Sequence, residues 1–364
     1  SQDSVTAIID WAINDQWSLK STTGYMENEW SQLNYDVDYS SAVVELFPGF
    51  FLYPAEGRAE NESETLSHEF NLSFTGDRLN LVTGLFYFKD EVSQPQSFPA
   101  FGVAFEFDQE TEAWAAFADA TFTVTDDLRV LAGIRYNYEE TEIDQLSSTA
   151  CPLGVTGKED WSDTNPKIGF QYDVSDSAMI YGTWQEGFKA GGYDPANCVD
   201  DFNPENIEVM EFGLKANLFD GAGLLNLAIF DYDYEDLQVG QLVGLVTNIE
   251  NAGEADVLGA EFDFQYLLSD SWAWDLSATF LDTEQNDLSL QDPFNGGVVD
   301  VSGKDLLRAP EFSGTVALTY GVGFDDGSEL QLRGELYHAD EVRFRFFDDE
   351  PGAFRDSHTT SNLY

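Results

Sequence analysis

The sequence predicts an all-β protein, a transmembrane antiparallel β-barrel. Three observations carry this: clean two-faced alternation, unusual strand length, and connections that alternate between short and long. In residues 208–218 the even positions hold Met210, Phe212, Leu214, Ala216 and Leu218, against Glu211, Gly213, Lys215 and Asn217. In residues 258–268 Leu258, Ala260, Phe262, Phe264, Tyr266 and Leu268 alternate with Gly259, Glu261, Asp263 and Gln265. A strand sends successive side chains to opposite faces, so each segment is apolar on one side and polar on the other. Such walls suit a boundary between lipid and a wet lumen.

Taken in order, strand-like runs fall near 5–12, 17–27, 66–75, 79–90, 113–124, 128–140, 162–174, 177–187, 208–218, 223–237, 256–268, 272–283, 312–321 and 329–339, with a further run near 359. That is about fifteen strands, mostly about 10–14 residues long, whereas ordinary globular strands average about 5–6 and membrane strands need about 9–11. The short connections are Asn14-Asp15, Gly76-Asp77, Thr125-Asp126-Asp127, Ser175-Asp176, Asp220-Gly221, Ser269-Asp270 and Asp325-Asp326-Gly327, residues that tolerate tight turns. Between them lie longer segments near 28–65, 91–112, 141–161, 188–207, 238–255, 284–311 and 340–358, expected as loops. Tight periplasmic turns and long extracellular loops make an up-and-down barrel.

The same rule orients the charges. Val130, Ala132, Ile134, Tyr136 and Tyr138 oppose Arg129, Gly133, Arg135 and Asn137. Trp272, Trp274, Leu276, Ala278 and Phe280 oppose Asp275, Ser277 and Thr279. Leu330, Leu332 and Leu336 oppose Gln331, Arg333 and Glu335. A Lys or Arg facing lipid at mid-bilayer costs about 2–4 kcal/mol, so Arg129, Arg135, Lys215 and Arg333 are expected on the lumen side, and Asp275 with them. Residues 224–234 carry large apolar side chains on both faces; Leu225, Leu227 and Ile229 are assigned to lipid and Asn226 to the lumen.

Composition limits the function classes. There are 68 acidic and 16 basic residues among 364, a formal net charge of -52. This argues against a nucleic-acid partner, which needs basic surface. Mean hydropathy is -0.29 with 43% hydrophobic residues, and no apolar run reaches the roughly 18 residues of a membrane helix. Aromatics reach 15%, which fits interfacial girdles and equally the core of a large β-sandwich. The acidity fits surface cations, cationic ligands or a high-salt habitat. No secretion signal is visible at residues 1–9.

Four segments resemble the TonB-dependent outer-membrane receptors. Residues 181–193, YGTWQEGFKAGGY, are similar to the family's GFKaGG stretch. Residues 203–215, NPENIEVMEFGLK, resemble its PE…ElGlK strand. Residues 251–261, NAGEADVLGAE, and 309–312, APEF, resemble its NAG…GvE and aPe segments. Each is weak alone; four in family order are strong together. The resemblance implies a siderophore-receptor type barrel of about 22 strands, of which residues 1–364 would supply about fifteen. The plug domain, the TonB box and the first and last strands are expected to lie outside this chain. It further implies a monomer in the outer membrane of a Gram-negative bacterium, set in lipid and lipopolysaccharide. TonB and its inner-membrane energising complex would be the partner, and a scarce ligand, an Fe(III)-siderophore complex, the cargo. Cobalamin, haem, an oligosaccharide or a passive porin-like barrel remain open. Glu211, Lys215, Glu261 and Asp263 would then line the lumen.

Candidate sites follow from loop placement. Lys189, at the end of its strand, is a candidate for an anionic ligand at the lumen mouth; the plainer reading has Gly187, Gly191 and Gly192 turn the backbone and pairs Glu186 and Lys189 with neighbouring strands. Trp161, Tyr193, Tyr35, Tyr39 and Phe294 are candidate aromatic ligand contacts. Cys151 and Cys198 sit in consecutive long loops. As extracellular thiols they are expected to pair, contributing on the order of 4 kcal/mol by chain entropy. His68, His338 and His358 show no metal-ligand spacing, so no bound metal or cofactor is expected, although Asp36, Asp38, Asp348 and Asp349 could hold loop Ca²⁺. No nucleophile elbow, phosphate loop or dinucleotide fingerprint occurs, and no enzyme activity is expected.

Overall fold

The computed structural model describes residues 1–36, 44–47, 50–52, 56–98, 103–148, 153–194, 200–243, 246–251, 253–292, 297–347 and 353–364. Their main feature is one 15-stranded antiparallel sheet in which every strand pairs with its sequence neighbour. We number these strands β1 (Gln2–Ala12), β2 (Trp17–Asp36), β3 (Glu56–Thr75), β4 (Leu79–Phe98), β5 (Val103–Thr123), β6 (Leu128–Ser148) and β7 (Val155–Ser175). They continue as β8 (Ala178–Lys189), β9 (Glu205–Leu218), β10 (Gly223–Glu235), β11 (Glu254–Ser269), β12 (Trp272–Asn286), β13 (Phe312–Gly323), β14 (Glu329–Ala339) and β15 (His358–Leu363). All fifteen expected strands are present in the expected order. β1 and β15 are the sheet's edges. Among the described residues no helix is long and apolar enough to cross a membrane.

The strands differ from expectation in length. β2 to β7 run for 20 or 21 residues each. Much of 28–65, 91–112 and 141–161 is therefore strand, not loop. Pairing continues there, with Glu29 opposite Glu62 and Glu110 opposite Glu142, interrupted only by register shifts such as those at Leu33/Tyr35 and Glu106/Phe107. At about 3.3 Å per residue and a tilt of about 40°, 21 residues stand ~50 Å tall, twice the ~25 Å apolar band of such walls. The upper half is wet on both faces, so apolar alternation cannot announce it. The later long connections carry two-stranded hairpins at 192–194 with 200–202, 238–243 with 246–251, and 289–291 with 298–300.

One face is apolar and open. Met210, Phe212, Ile229, Leu258, Ile134, Ile168, Leu336 and Phe280 are all more than half exposed, as lipid-facing side chains are once lipid is removed. Two aromatic belts bound this band. Near the short turns Trp17 packs on Phe74 and Trp272 on Tyr320, both at 4.8 Å. Near the other end Trp114 meets Tyr136 and Tyr138 at 5.3 and 5.6 Å, and Phe280 meets Phe312 at 4.9 Å. In β10, Asn226 stands opposite Lys215 and Asp263 on the polar face, and Leu227 opposite Leu214 and Phe262 on the apolar one. The polar face is called inner below.

Candidate functional site

Inner-face cations fall into two groups. Arg129 donates through both terminal nitrogens to the Asp173 carboxylate at 2.7 and 2.6 Å, and through Nε to Gln171 at 3.0 Å. Arg333 donates to Asp275 at 2.5 Å and to Thr319, with Glu335 at 3.4 Å. Lys167 reaches Asp119 at 3.4 Å. The bidentate Arg129–Asp173 pair locks two neighbouring strands in register, while Arg333–Asp275 and Lys167–Asp119 each reach across an intervening strand. Arg135 and Lys215 differ: neither takes part in an ion pair formed by the described residues. Arg135 donates Nε to Asn137 at 2.6 Å and lies over the Phe86 and Phe117 rings at 5.7 and 5.4 Å. Lys215 lies over the Tyr181 ring at 5.6 Å, and the Tyr181 hydroxyl donates to Glu211 at 2.5 Å. Glu261 faces inward beside them, opposite Thr279, and Asp263 opposite Asn226.

Above the aromatic belt the segment after β8 turns inward and covers Arg135. Tyr193 is buried and packs with Phe107 and Ile143 from the inner face of β5 and β6. Burial, with Glu159 and Asp201 nearby, pushes its hydroxyl up to about 12, so the ring stays neutral and seated. Gly191 and Gly192 make this path possible. A side chain at Gly191 would strike the Trp161 indole at 2.6 Å and the Phe202 carbonyl, and one at Gly192 the Phe202 ring at 2.6 Å. These glycines serve close approach, not a turn. Under the roof is a cavity of about 500 Å³, lined by Arg135, Glu139, Phe86, Lys189, Tyr193 and Gln238 among others.

A polar clamp fixes that roof. Asn251 Nδ2 donates to the carbonyls of Asn203 and Asp236 at 2.9 and 2.8 Å, and its Oδ1 accepts from the Asn203 amide at 2.6 Å. Gln238 Nε2 donates to the carbonyls of Ala190 and Asn203 at 2.8 and 3.0 Å, while its amide donates to Glu205 at 2.7 Å. The Ile249 amide donates to Asp194 at 3.2 Å. Three motif segments of the sequence, 188–193, 203–205 and 251, thus meet in one place.

The predicted residues are distributed as follows. Lys189 and Tyr193 line the cavity. Lys189 is mostly exposed and approaches Glu205 at 4.0 Å. Glu186 stands opposite Glu208, on the outer face, and takes part in no ion pair formed by the described residues. Trp161 touches the roof at Gly191. Tyr35 lies in β2, with its side chain outside the described residues. Tyr39, Phe294, Cys151, Cys198, Asp38, Asp348 and Asp349 lie outside the described residues, so the cysteine pairing and the loop Ca²⁺ expectation stay as they were. Among the described residues no group of three or more His, Cys, Asp or Glu side chains could hold a metal. Sequence reasoning missed Phe86, Glu139, Thr141 and Gln238 as lining residues. Phe86 and Glu139 carried the signal of inward parity on predicted strands, Thr141 lies on the part of β6 beyond its predicted run, and Gln238 lies in a hairpin of a connection where no alternation marks it.

Comparison with known proteins matches the whole chain, residues 1–364, to the family described as TonB dependent receptor-like, beta-barrel. The pesticin receptor of Yersinia enterocolitica is 27% identical over 179 residues, 48% of this chain and 26% of that protein. The ferric yersiniabactin uptake receptor of Yersinia pestis superposes with a TM-score of 0.81 at 16% identity, over 100% of this chain and 53% of that one. The siderophore receptor PiuA of Acinetobacter baumannii gives 0.77 at 17% identity, over 100% and 57%. The chain spans about half the length of these solved receptors.

Proposed function

Because the chain belongs to the TonB-dependent receptor β-barrel family of the Gram-negative outer membrane, we propose that it forms most of the wall of an active importer of a ferric siderophore. TonB would supply the energy through parts of the receptor outside this chain. The observation that carries the cargo class is the roofed cavity at the mouth. In a protein of net charge -52, it gathers Arg135, engaged with two aromatic rings but no carboxylate, and Lys189. Ferric complexes of catecholates and carboxylates are anionic and often aromatic. Cations backed by ring faces suit them, and the low-dielectric wall strengthens the attraction. Two of the relatives named above, the ferric yersiniabactin uptake receptor and the siderophore receptor PiuA, support the same reading.

Glu139 tunes this site. It stands opposite Trp161 on β6, just above the aromatic belt, and lines the cavity. Burial raises its carboxyl above the usual carboxylate range. Its charge opposes an anionic cargo and is discharged as pH falls. Affinity for an anionic ferric chelate should therefore rise as pH falls through the Glu139 transition, and Glu139→Gln should flatten that slope. The test is tryptophan fluorescence quenching of the full-length receptor with an anionic ferric catecholate, an uncharged ferric trihydroxamate and a neutral oligosaccharide. We expect the ferric catecholate to bind best and Arg135→Gln to weaken it about tenfold, as losing one buried charge contact does. Binding of the oligosaccharide alone would overturn the iron assignment.

A further inference from the structure

Arg135 makes no ion pair with the described residues, yet it is tethered to a carboxylate at one remove. Four inner-face residues form two directly opposed pairs on β6 and β7, Arg135 with Asn165 and Asn137 with Asp163. Within this square three side-chain hydrogen bonds run in series. Arg135 Nε donates to Asn137 Oδ1 at 2.6 Å, Asn137 Nδ2 donates to Asn165 Oδ1 at 2.6 Å, and Asn165 Nδ2 donates to the Asp163 carboxylate. The two carboxamides thus occupy one diagonal of the square. Arg135 and Asp163 occupy the other and do not pair with each other.

Chemistry fixes the direction of this chain at both ends. A guanidinium only donates and a carboxylate only accepts. Asp163 therefore turns the amino group of Asn165 toward itself, which presents the Asn165 oxygen to Asn137. That presents the Asn137 oxygen to Arg135, and each amide polarises the next. The anchor takes only Nε, and the terminal nitrogens of Arg135 have no hydrogen-bond partner among the described residues. The guanidinium carbon lies over the Phe86 and Phe117 rings at 5.7 and 5.4 Å. Phe117 stands opposite Arg135 on β5, so the head leans to the side of β6 away from Asp163. Arg135 and Asn137 line both the roofed cavity and a second one of about 530 Å³ nearer the short turns. With that open space, an unanchored guanidinium on its flexible stem would swing onto a carboxylate of the same face, Asp163 or Glu139.

Resting on the reading of Arg135 as a contact for an anionic ferric chelate, we propose that Asp163 is the positioning residue of that site. Acting through Asn165 and Asn137, its carboxylate pins Arg135 by Nε against the two rings and leaves the terminal nitrogens for the cargo. Charge alone and this chain predict effects of opposite sign. Asp163 is a negative charge near a site for an anion, so by charge alone its removal strengthens binding. As the anchor of the chain, its removal weakens binding. Both amides are then free to turn, and an Asn137 amino group turned toward the Arg135 Nε–H sets a donor against a donor.

The test uses the full-length receptor and tryptophan quenching by an anionic ferric catecholate and an uncharged ferric trihydroxamate. D163N should weaken the ferric catecholate about fivefold, as loss of an orienting hydrogen bond does, and leave the ferric trihydroxamate unchanged. N137A, which cuts the chain without changing any charge, should do the same. Heat-modifiability on gels shows whether the variants are folded; if D163N is not, N137A decides. In an Arg135→Gln background D163N should cause no further weakening. A second readout needs no ligand. In receptor carrying isotope-labelled arginine, the Arg135 Nε–H resonance is assigned by its loss in Arg135→Gln. It should exchange slowly with water, and faster in D163N and N137A. Where Arg135→Gln weakens the catecholate, unchanged or stronger binding by D163N would overturn the proposal. So would equal weakening of both chelates, or equal weakening with and without Arg135, either of which makes the chain a support of the wall alone. If Arg135→Gln leaves catecholate binding intact, the cargo reading falls by itself, and Nε–H exchange unchanged by D163N would then overturn the positioning role as well.

Discussion

Tyr181 shows how a single motif residue organises its surroundings. It sits directly opposite Gly213, and its ring covers that glycine so closely that a Cβ there would collide with ring carbons. A bare glycine leaves backbone open, and a neighbouring ring laid over it restores the lost packing. The ring then places its hydroxyl on Glu211 and its face under Lys215. Phe230 covers Gly259 in the same way two strands further on. The glycine of the ElGlK-like segment is thus a receptor for an aromatic ring. Gly213→Ala should displace Tyr181 and uncouple Glu211 and Lys215, at a cost of about 1–3 kcal/mol, as for overpacking. Heat-modifiability on gels measures it: the temperature at which the folded band is lost should fall, and Tyr181→Ala in the same background should recover part of the loss.

At the scale of elements, the clamp around Asn251 explains why distant segments travel together. Asn251 holds Asn203 and Asp236, and Asp236 adopts a left-handed backbone (φ 54°) that its anchored carbonyl helps to maintain. Gln238 carries the tether on to Ala190, whose neighbours Gly191 and Gly192 form the roof of the cavity. Asn251→Ala removes the donor from two carbonyls and the acceptor from one amide, worth about 1–3 kcal/mol if these groups stay buried. The barrel should remain folded while the roof loosens. The expected outcome is faster proteolysis within 190–205 and weaker quenching by ferric chelate, with an unchanged unfolding temperature for the wall. A drop in the wall's temperature instead would place Asn251 in the barrel's own stability. This clamp was legible only as a resemblance between motifs. The strands were legible because lipid on one side enforces alternation, as in 208–218. Above the band that constraint ends, so the upper parts of β2 to β7 read as loops. The roof could not be read at all, because Tyr193 is buried by residues some 50 to 90 positions away in the chain.

For the whole molecule the governing quantity is charge. Its distribution is not random: Asp3, Glu27, Glu64, Glu91, Glu110 and Glu142 face one another in continuous register across β1 to β6. Lys89, between Glu91 and Glu110 at 2.7 and 3.1 Å, and Lys158, beside Glu140 at 2.6 Å, are the described cations that relieve this collar. Glu140 is accordingly held below the usual carboxylate range by the Lys158 ammonium. Glu64 has a carboxylate on each side, Glu27 and Glu91, and no described ion pair of its own. Opposed like charges on a sheet cost a few tenths to about 1 kcal/mol, and such exposed repulsion is screened once the Debye length falls well below about 10 Å. Two consequences follow for the same protein. Raising monovalent salt should raise its unfolding temperature, because screening relieves the collar more than it weakens the few ion pairs. Glu64→Gln should stabilise it at low salt and lose that advantage at about 1 M salt, where the Debye length is roughly 3 Å. Thermal unfolding of both proteins across a salt series measures this directly. A stabilisation by Glu64→Gln that persists undiminished at high salt would show that local packing, not the register of the carboxylates, sets the cost.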